Sequence, residues 1–99
     1  MIEIAISSAS PHFSQENLIF GRHYVIEFQW MERESYWVMH LYDASENPIA
    51  LGLKVTPHWP IFIDKVANIA FFLLAKNPNA RLSLSSLQAD FVLVVHELV

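Results

Sequence analysis

The chain has 99 residues and a net charge of −4, and 54% of its residues are hydrophobic while only 16% are charged. This balance excludes intrinsic disorder, which requires low hydrophobicity and high charge. The six Lys and Arg residues occur singly and there is no cysteine, so the composition disfavours a nucleic-acid surface and excludes disulfides and thiolate metal sites.

The length predicts a single domain over residues 1–99. A domain of this size leaves roughly 35–40% of the surface of its unfolded chain exposed, and this chain has few charges with which to cover it. Association with copies of itself or with other chains is therefore expected, because apolar surface left in water favours contact with protein.

The N-terminal region predicts two short strands before the main part of the sheet. Ile2, Ile4 and Ile6 alternate with polar or small residues, which indicates a strand with one buried face. Residues 8–17 are predicted to be a polar loop, and residues 18–20 lead into a tight turn at Gly21. The N-terminus has no signal-peptide pattern and residues 69–75, the longest apolar run, are too short to cross a membrane. A soluble intracellular product is expected.

Three strands joined by two short polar turns are predicted between residues 23 and 56. The residues of one face are, strand by strand, Tyr24, Ile26, Phe28 and Trp30; Trp37, Met39 and Leu41; and Ile49, Leu51, Leu53 and Val55. Alternation of this kind is typical of half-buried strands, and turns of this length join antiparallel neighbours. An antiparallel three-strand meander is therefore expected to be the nucleus of the fold.

The region after the meander is ambiguous at first and clear at its end. Residues 61–76 fit either a helix or a short buried strand, and we favour a strand over residues 69–75 that follows a loop or one short helical turn near residues 61–68. Residues 81–87 predict a loop with room for one turn of helix. Residues 90–98 predict a strand that is apolar on both faces and hence central, or sandwiched between subunits.

Together these elements predict an all-β fold, a small antiparallel barrel or sandwich of six to seven strands built on the meander. No catalytic, cofactor-binding or metal-binding motif is recognised. The five histidines lack chelating spacings and are expected to be surface or partly buried residues; His40 and His96 would meet across a sheet only if their strands were neighbours. Glu32 and Glu34 lie in an exposed turn, and two glycines are too few for a phosphate-binding loop.

Aromatic residues make up 13% of the chain. Most are expected to fill the core, and the remainder are expected to anchor protein contacts, because Trp and Tyr dominate interface hot spots. The predicted interface residues are Trp37, Tyr42, Trp59, Phe62 and Ile63. Trp59, between two prolines, is the strongest candidate for an exposed anchor.

The order of these motifs resembles the small baseplate plug family of contractile-tailed phages and related prophages. The matching residues are Phe28-Gln29-Trp30, Arg33, Trp37-Val38-Met39-His40-Leu41-Tyr42-Asp43, Asn47-Pro48-Ile49, Gly52-Leu53-Lys54-Val55, Trp59-Pro60 and Phe91-Val92-Leu93-Val94-Val95-His96-Glu97. The resemblance covers nearly the whole chain. It departs at residues 76–89, where the family has a loop rich in Gly and Asp and this chain has no glycine.

The resemblance implies a structural, non-enzymatic subunit at the end of the tail tube, near the hub and spike. Its partners would be copies of itself and other baseplate proteins, without nucleic acid, membrane or cofactor, in the virion tail and, during assembly, in the host cytoplasm. Two alternatives stay open: a small β-barrel that binds an apolar ligand, and an OB-like barrel that binds single-stranded nucleic acid.

Overall fold

The predicted meander forms most of one of two antiparallel β-sheets in a computed structural model that describes residues 1–98; Val99, the last residue of the predicted domain, lies outside them. The strands are β1 (Ile2–Ile4), β2 (His12–Ile19), β3 (Arg22–Met31), β4 (Tyr36–Asp43), β5 (Pro48–Lys54), β6 (Pro60–Asp64), β7 (Ile69–Ala75) and β8 (Phe91–Glu97). A short helix, α1 (Leu87–Asp90), precedes β8. The strand orders are β2–β3–β4–β5 in the meander sheet and β1–β8–β7–β6 in the terminal sheet.

This arrangement confirms the predicted all-β fold as a sandwich, with eight strands in the described chain where six to seven were expected. The three strands of the meander, the strand over residues 69–75 and the central position of the last strand are confirmed, since β8 lies between β1 and β7.

The prediction of a polar loop over residues 8–17 is wrong, because β2 begins at His12 and pairs with β3 along its whole length. Its exposed and half-buried residues alternate, but the half-buried set includes Gln15 and Asn17. A strand at the edge of a sheet buries one face only partly, so polar residues on that face hid the apolar alternation. The two-residue turn that follows consists of Phe20 and Gly21, both with positive φ (47° and 81°), as hairpin turns of this length require.

The expected loop or helical turn near residues 61–68 is also corrected. Residues 60–64 form β6, an edge strand that begins with Pro60, a position where the missing N–H costs no sheet bond. A hydrogen-bonded turn then covers residues 65–68, and Asp64 Oδ1 accepts the N–H groups of Val66 and Ala67, both at 3.0 Å.

The inner faces of the two sheets enclose one apolar core. Aromatic contacts connect the sheets, as between the rings of Tyr24 and Phe71, whose centroids are 5.8 Å apart. Trp37 is 1% exposed, and its Nε1 donates to the carbonyl oxygen of Ser83 at 3.0 Å. This bond attaches the segment before α1 to the core and satisfies the indole N–H, which would otherwise be buried without a partner.

One face of the predicted meander is not continuous. Residues 49, 51, 53 and 55 were expected to lie together in the core, but Ile49 and Leu51 are exposed (36% and 55%) while Val55 is buried. The pairing of β4 with β5 shifts twice, between Met39 and Leu41 and again between Leu41 and Tyr42. Each shift inserts an extra residue into β5, and such a bulge turns the following side chains to the other face.

Candidate interface

Five of the large exposed apolar side chains come from the edge strands β5 and β6 and from the turns at the two ends of β6, and the two strands contact each other. We call this the β5–β6 surface; it consists of Ile49, Leu51, Trp59, Ile63 and Val66, which are 36%, 55%, 68%, 45% and 88% exposed. The bulges of β5 expose its first two members. β6 and the turns at its two ends present the other three. Clustered exposed apolar residues of this kind are typical of protein contact sites.

Trp59 is held on a short, well-defined turn. Its N–H donates to the carbonyl oxygen of Thr56 at 3.3 Å, and the N–H of His58 donates to the carbonyl oxygen of Leu73 at 2.8 Å. Pro57 and Pro60 flank the turn and restrict the backbone further, and His58 has a positive φ of 67°. The indole is thus exposed on a restrained backbone, so docking costs little conformational entropy.

The five predicted interface residues do not form one patch. Trp59 and Ile63 are both exposed and belong to the β5–β6 surface. Phe62 is half-buried, with its ring centroid 6.5 Å from that of Phe71. Tyr42 is half-buried and hydrogen-bonded to Glu27.

Trp37 is not at the surface, where an interface residue was predicted, because its ring is enclosed by other aromatic rings. Its centroid lies 5.5 Å from that of Trp30 and 6.5 Å from that of Phe28. It cannot meet a partner from this position. Leu51 was missed because strict alternation placed it inside; Gly52, a glycine inside a strand pattern, was the available signal for a bulge.

The outer side of the meander sheet has a polar network across three strands. The imidazole Nε2 of His12 on β2 contacts Glu27 Oε2 on β3, and Tyr42 Oη on β4 donates to Glu27 Oε1 at 2.9 Å. The His12 contact lowers the pKa of the Glu27 carboxyl, the Tyr42 bond lowers it further, and partial burial opposes both. The same carboxylate raises the pKa of the Tyr42 hydroxyl. This network connects β2 to the centre of its sheet.

A second polar contact attaches β5 to β4. The Nδ1 atom of His40 accepts the N–H of Gly52 at 2.9 Å, and its Nε2 lies 3.4 Å from Gln29 Oε1 on β3. His96 is on β8, in the other sheet, so His40 and His96 do not meet across one sheet.

In residues 1–98 no group of three or more His, Asp or Glu side chains is placed to hold a metal ion. The described part of the chain likewise contains no helix with the length and apolar character needed to span a bilayer.

Comparison with known proteins identifies the family. No curated protein matches the chain. A family model described as "Cyanophage baseplate Pam3 plug gp18" matches residues 1–97, nearly the whole length. The match confirms the resemblance seen in the motif order, and the chain belongs to this family of phage baseplate plug proteins.

Proposed function

We propose that the protein is a plug subunit at the end of a contractile tail tube, near the hub and spike. It assembles there by burying the β5–β6 surface against neighbouring subunits, including copies of itself. Family membership supports a structural component of the baseplate in the virion tail that contacts other baseplate proteins. We extend this to self-association, and to a free state in the host cytoplasm before assembly. A phage or a prophage would encode it.

One observation carries the proposal, the uneven distribution of exposed apolar side chains. Five of the nine large hydrophobic residues found exposed in the described chain belong to the β5–β6 surface. Of the other four, Leu18 and Phe20 lie at the β2–β3 hairpin, and Met1 and Leu84 come from separate segments. The charged residues of β5 and β6 are Lys54 and Asp64, and Asp64 is buried. Few charges must therefore be desolvated when a partner covers this side.

Trp59 is the expected anchor of the contact. A buried Trp in a protein interface commonly contributes about 2 kcal/mol or more when it is truncated to Ala. Ile63 and Leu51 then supply apolar area around it, each excluding water from the anchor.

We propose side-chain burial rather than strand addition at this side. β6 begins with proline and has a register shift between Pro60 and Phe62, and β5 has two register shifts. An added strand needs a regular row of free N–H and C=O groups, which bulges and proline interrupt.

The alternatives are less well supported. The space between the sheets is filled by large side chains, including Phe28, Trp37, Phe71 and Phe91, which leaves little room for an apolar ligand. Clefts of about 170 Å³ to 320 Å³ occur at the surface, below or at the lower end of ligand-pocket sizes. The scattered basic residues disfavour a nucleic-acid groove, and a structural family disfavours an enzyme.

The test is the association of the purified chain at micromolar concentration, measured by size-exclusion chromatography with light scattering, and its co-purification with co-expressed baseplate proteins. We expect assembly in at least one format, with a blue shift of tryptophan emission because Trp59 is the most exposed of the three tryptophans.

Ile63→Ser and Trp59→Ala should weaken that assembly by at least about tenfold. The matched control is Leu18→Ser, which removes a comparably exposed apolar side chain from β2. Equal weakening by Leu18→Ser, or a strictly monomeric chain that binds no baseplate protein, would count against the proposal.

A further inference from the structure

The bulge in β5 is held by a histidine side chain. Gly52 lies between the paired positions Met39–Leu53 and Leu41–Ala50, with a φ of 68°. Its N–H donates to Nδ1 of His40 on β4 at 2.9 Å. At this point of the sheet a side-chain nitrogen is the acceptor that a backbone carbonyl supplies in a regular ladder.

The direction of this bond fixes the protonation of the imidazole. A backbone N–H can only donate, so Nδ1 of His40 must carry a lone pair and no proton. In the neutral ring the proton then lies on Nε2, which faces the acceptor Oε1 of Gln29 at 3.4 Å. Both contacts of His40 are therefore consistent with one neutral tautomer.

We propose that His40 is a pH-sensitive latch on β5. When the ring gains a proton, Nδ1 becomes a donor and faces the Gly52 N–H, which is also a donor. The bond is lost, and the part of β5 that precedes Gly52 loses its side-chain attachment to β4. Protonation of the ring therefore opens the latch.

The charges around His40 favour a second arrangement once the ring is charged. Glu27 is its direct cross-strand partner on β3, and the carboxylate attracts an imidazolium. Glu27 is itself contacted by His12 of β2 and by Tyr42, on the same strand as His40. Lys54, the charged residue of β5, pairs with Val38 of β4, and its ammonium lies 4.8 Å from the ring centroid of Tyr36. Neutral His40 thus bonds to Gly52, and charged His40 turns toward Glu27.

The segment that the latch controls contains Ile49 and Leu51, two members of the β5–β6 surface. We expect acidification to alter docking through these residues, and this expectation rests on the proposed function. The latch itself does not rest on the proposed function, because it can be measured on the isolated chain.

The test follows His40 and Gly52 by NMR as the pH is lowered from about 8 to about 5. We expect Nδ1 of His40 to be unprotonated at the higher pH, and the Gly52 amide signal to shift with the same midpoint as the His40 ring. The hydrogen-exchange protection of Gly52 should fall roughly five- to tenfold, the equivalent of one hydrogen bond, while the amides that pair β3 with β4 keep theirs.

Two variants separate the latch from a general effect of acid. In His40→Asn the amide oxygen replaces Nδ1 as an acceptor that does not titrate in this range, so Gly52 protection should become independent of pH. In His96→Asn, on the other sheet, the loss of protection should be unchanged.

A proton on Nδ1 at the higher pH, or a Gly52 signal that ignores the titration of His40, would overturn the latch. These measurements report on the His40–Gly52 bond whether or not the chain assembles as proposed, so failure of the latch and failure of the proposed function can be distinguished.

Discussion

The two sides of the sandwich, where the edge strands of the two sheets come together, differ in which side chains cover those strands. On the side formed by β1 and β2, the Gln15 side chain connects β2 to the segment that follows β1. Its Nε2 donates to the carbonyl oxygen of Ala5 at 3.0 Å, and its Oε1 accepts the N–H of Ser7 at 3.0 Å. On the side formed by β5 and β6, exposed apolar side chains face the solvent. The chain itself covers one edge, and exposed apolar side chains remain on the other.

The difference teaches that side chains, rather than strand length, decide which edge is available. β2 has eight residues and a regular register. Its exposed residues are nevertheless mostly polar, and Gln15 is hydrogen-bonded to backbone groups of Ala5 and Ser7. β5 and β6 are irregular, and yet they display most of the exposed apolar residues. The regular edge strand β2 therefore displays mostly polar side chains, and the irregular edge strands β5 and β6 display the apolar ones.

The largest expected effect separates the core from the open side. Trp37→Ala should lower the free energy of unfolding by about 3–5 kcal/mol, because it empties a large buried volume and leaves the Ser83 carbonyl without its donor. Trp59→Ala should change it by no more than about 0.5 kcal/mol, as an exposed substitution. Denaturant titration of both variants measures this contrast, and similar losses in the two would show that Trp59 also packs in the core.

A smaller effect is expected on the closed side. Gln15→Ala should lower the free energy of unfolding by about 1 kcal/mol, since it removes two exposed hydrogen bonds to backbone groups. Glu16→Ala, a neighbouring exposed change on the same strand, is the control. Faster hydrogen exchange at Ser7 in the first variant only would locate the loss; equal destabilisation by both would show that Gln15 does not close this edge.

The smallest effect is a pH dependence of the β2 attachment. The folded-state pKa of Glu27 lies below its ordinary value of 4.5, chiefly because of the His12 contact. The carboxylate therefore contributes stability that is present above this value and is lost as the pH falls through the lowered pKa. Thermal unfolding from neutral pH downward should show a steeper acid loss for the wild type than for Glu27→Gln. Parallel curves would contradict the role of this network.

Much of the fold could be predicted because its signals are local. The alternation in β3 and β4, the turn at Gly21 and the apolar run of β7 each depend on nearby residues. β2 was missed because its half-buried face contains Gln15 and Asn17, and the backbone groups that Gln15 bonds, on Ala5 and Ser7, lie outside the strand. Exposed Trp59 followed from its flanking prolines.

The rest of the candidate interface could not be predicted, because it depends on register. The bulges that expose Ile49 and Leu51 arise from how β5 pairs with β4, and no periodicity in β5 alone reports them. Trp37 was misplaced for a related reason, since its core position depends on contacts with Trp30 and with the distant Ser83.

The irregular backbone of β5 and β6 has a consequence for aggregation. Fibrils grow when flat, regular strands stack through their backbone hydrogen bonds. Exposed apolar edge strands are the usual sites where this stacking begins. Here β6 begins with Pro60 and β5 is bulged at Gly52. The protein can therefore expose apolar side chains on these strands without exposing a regular edge to which further strands could add.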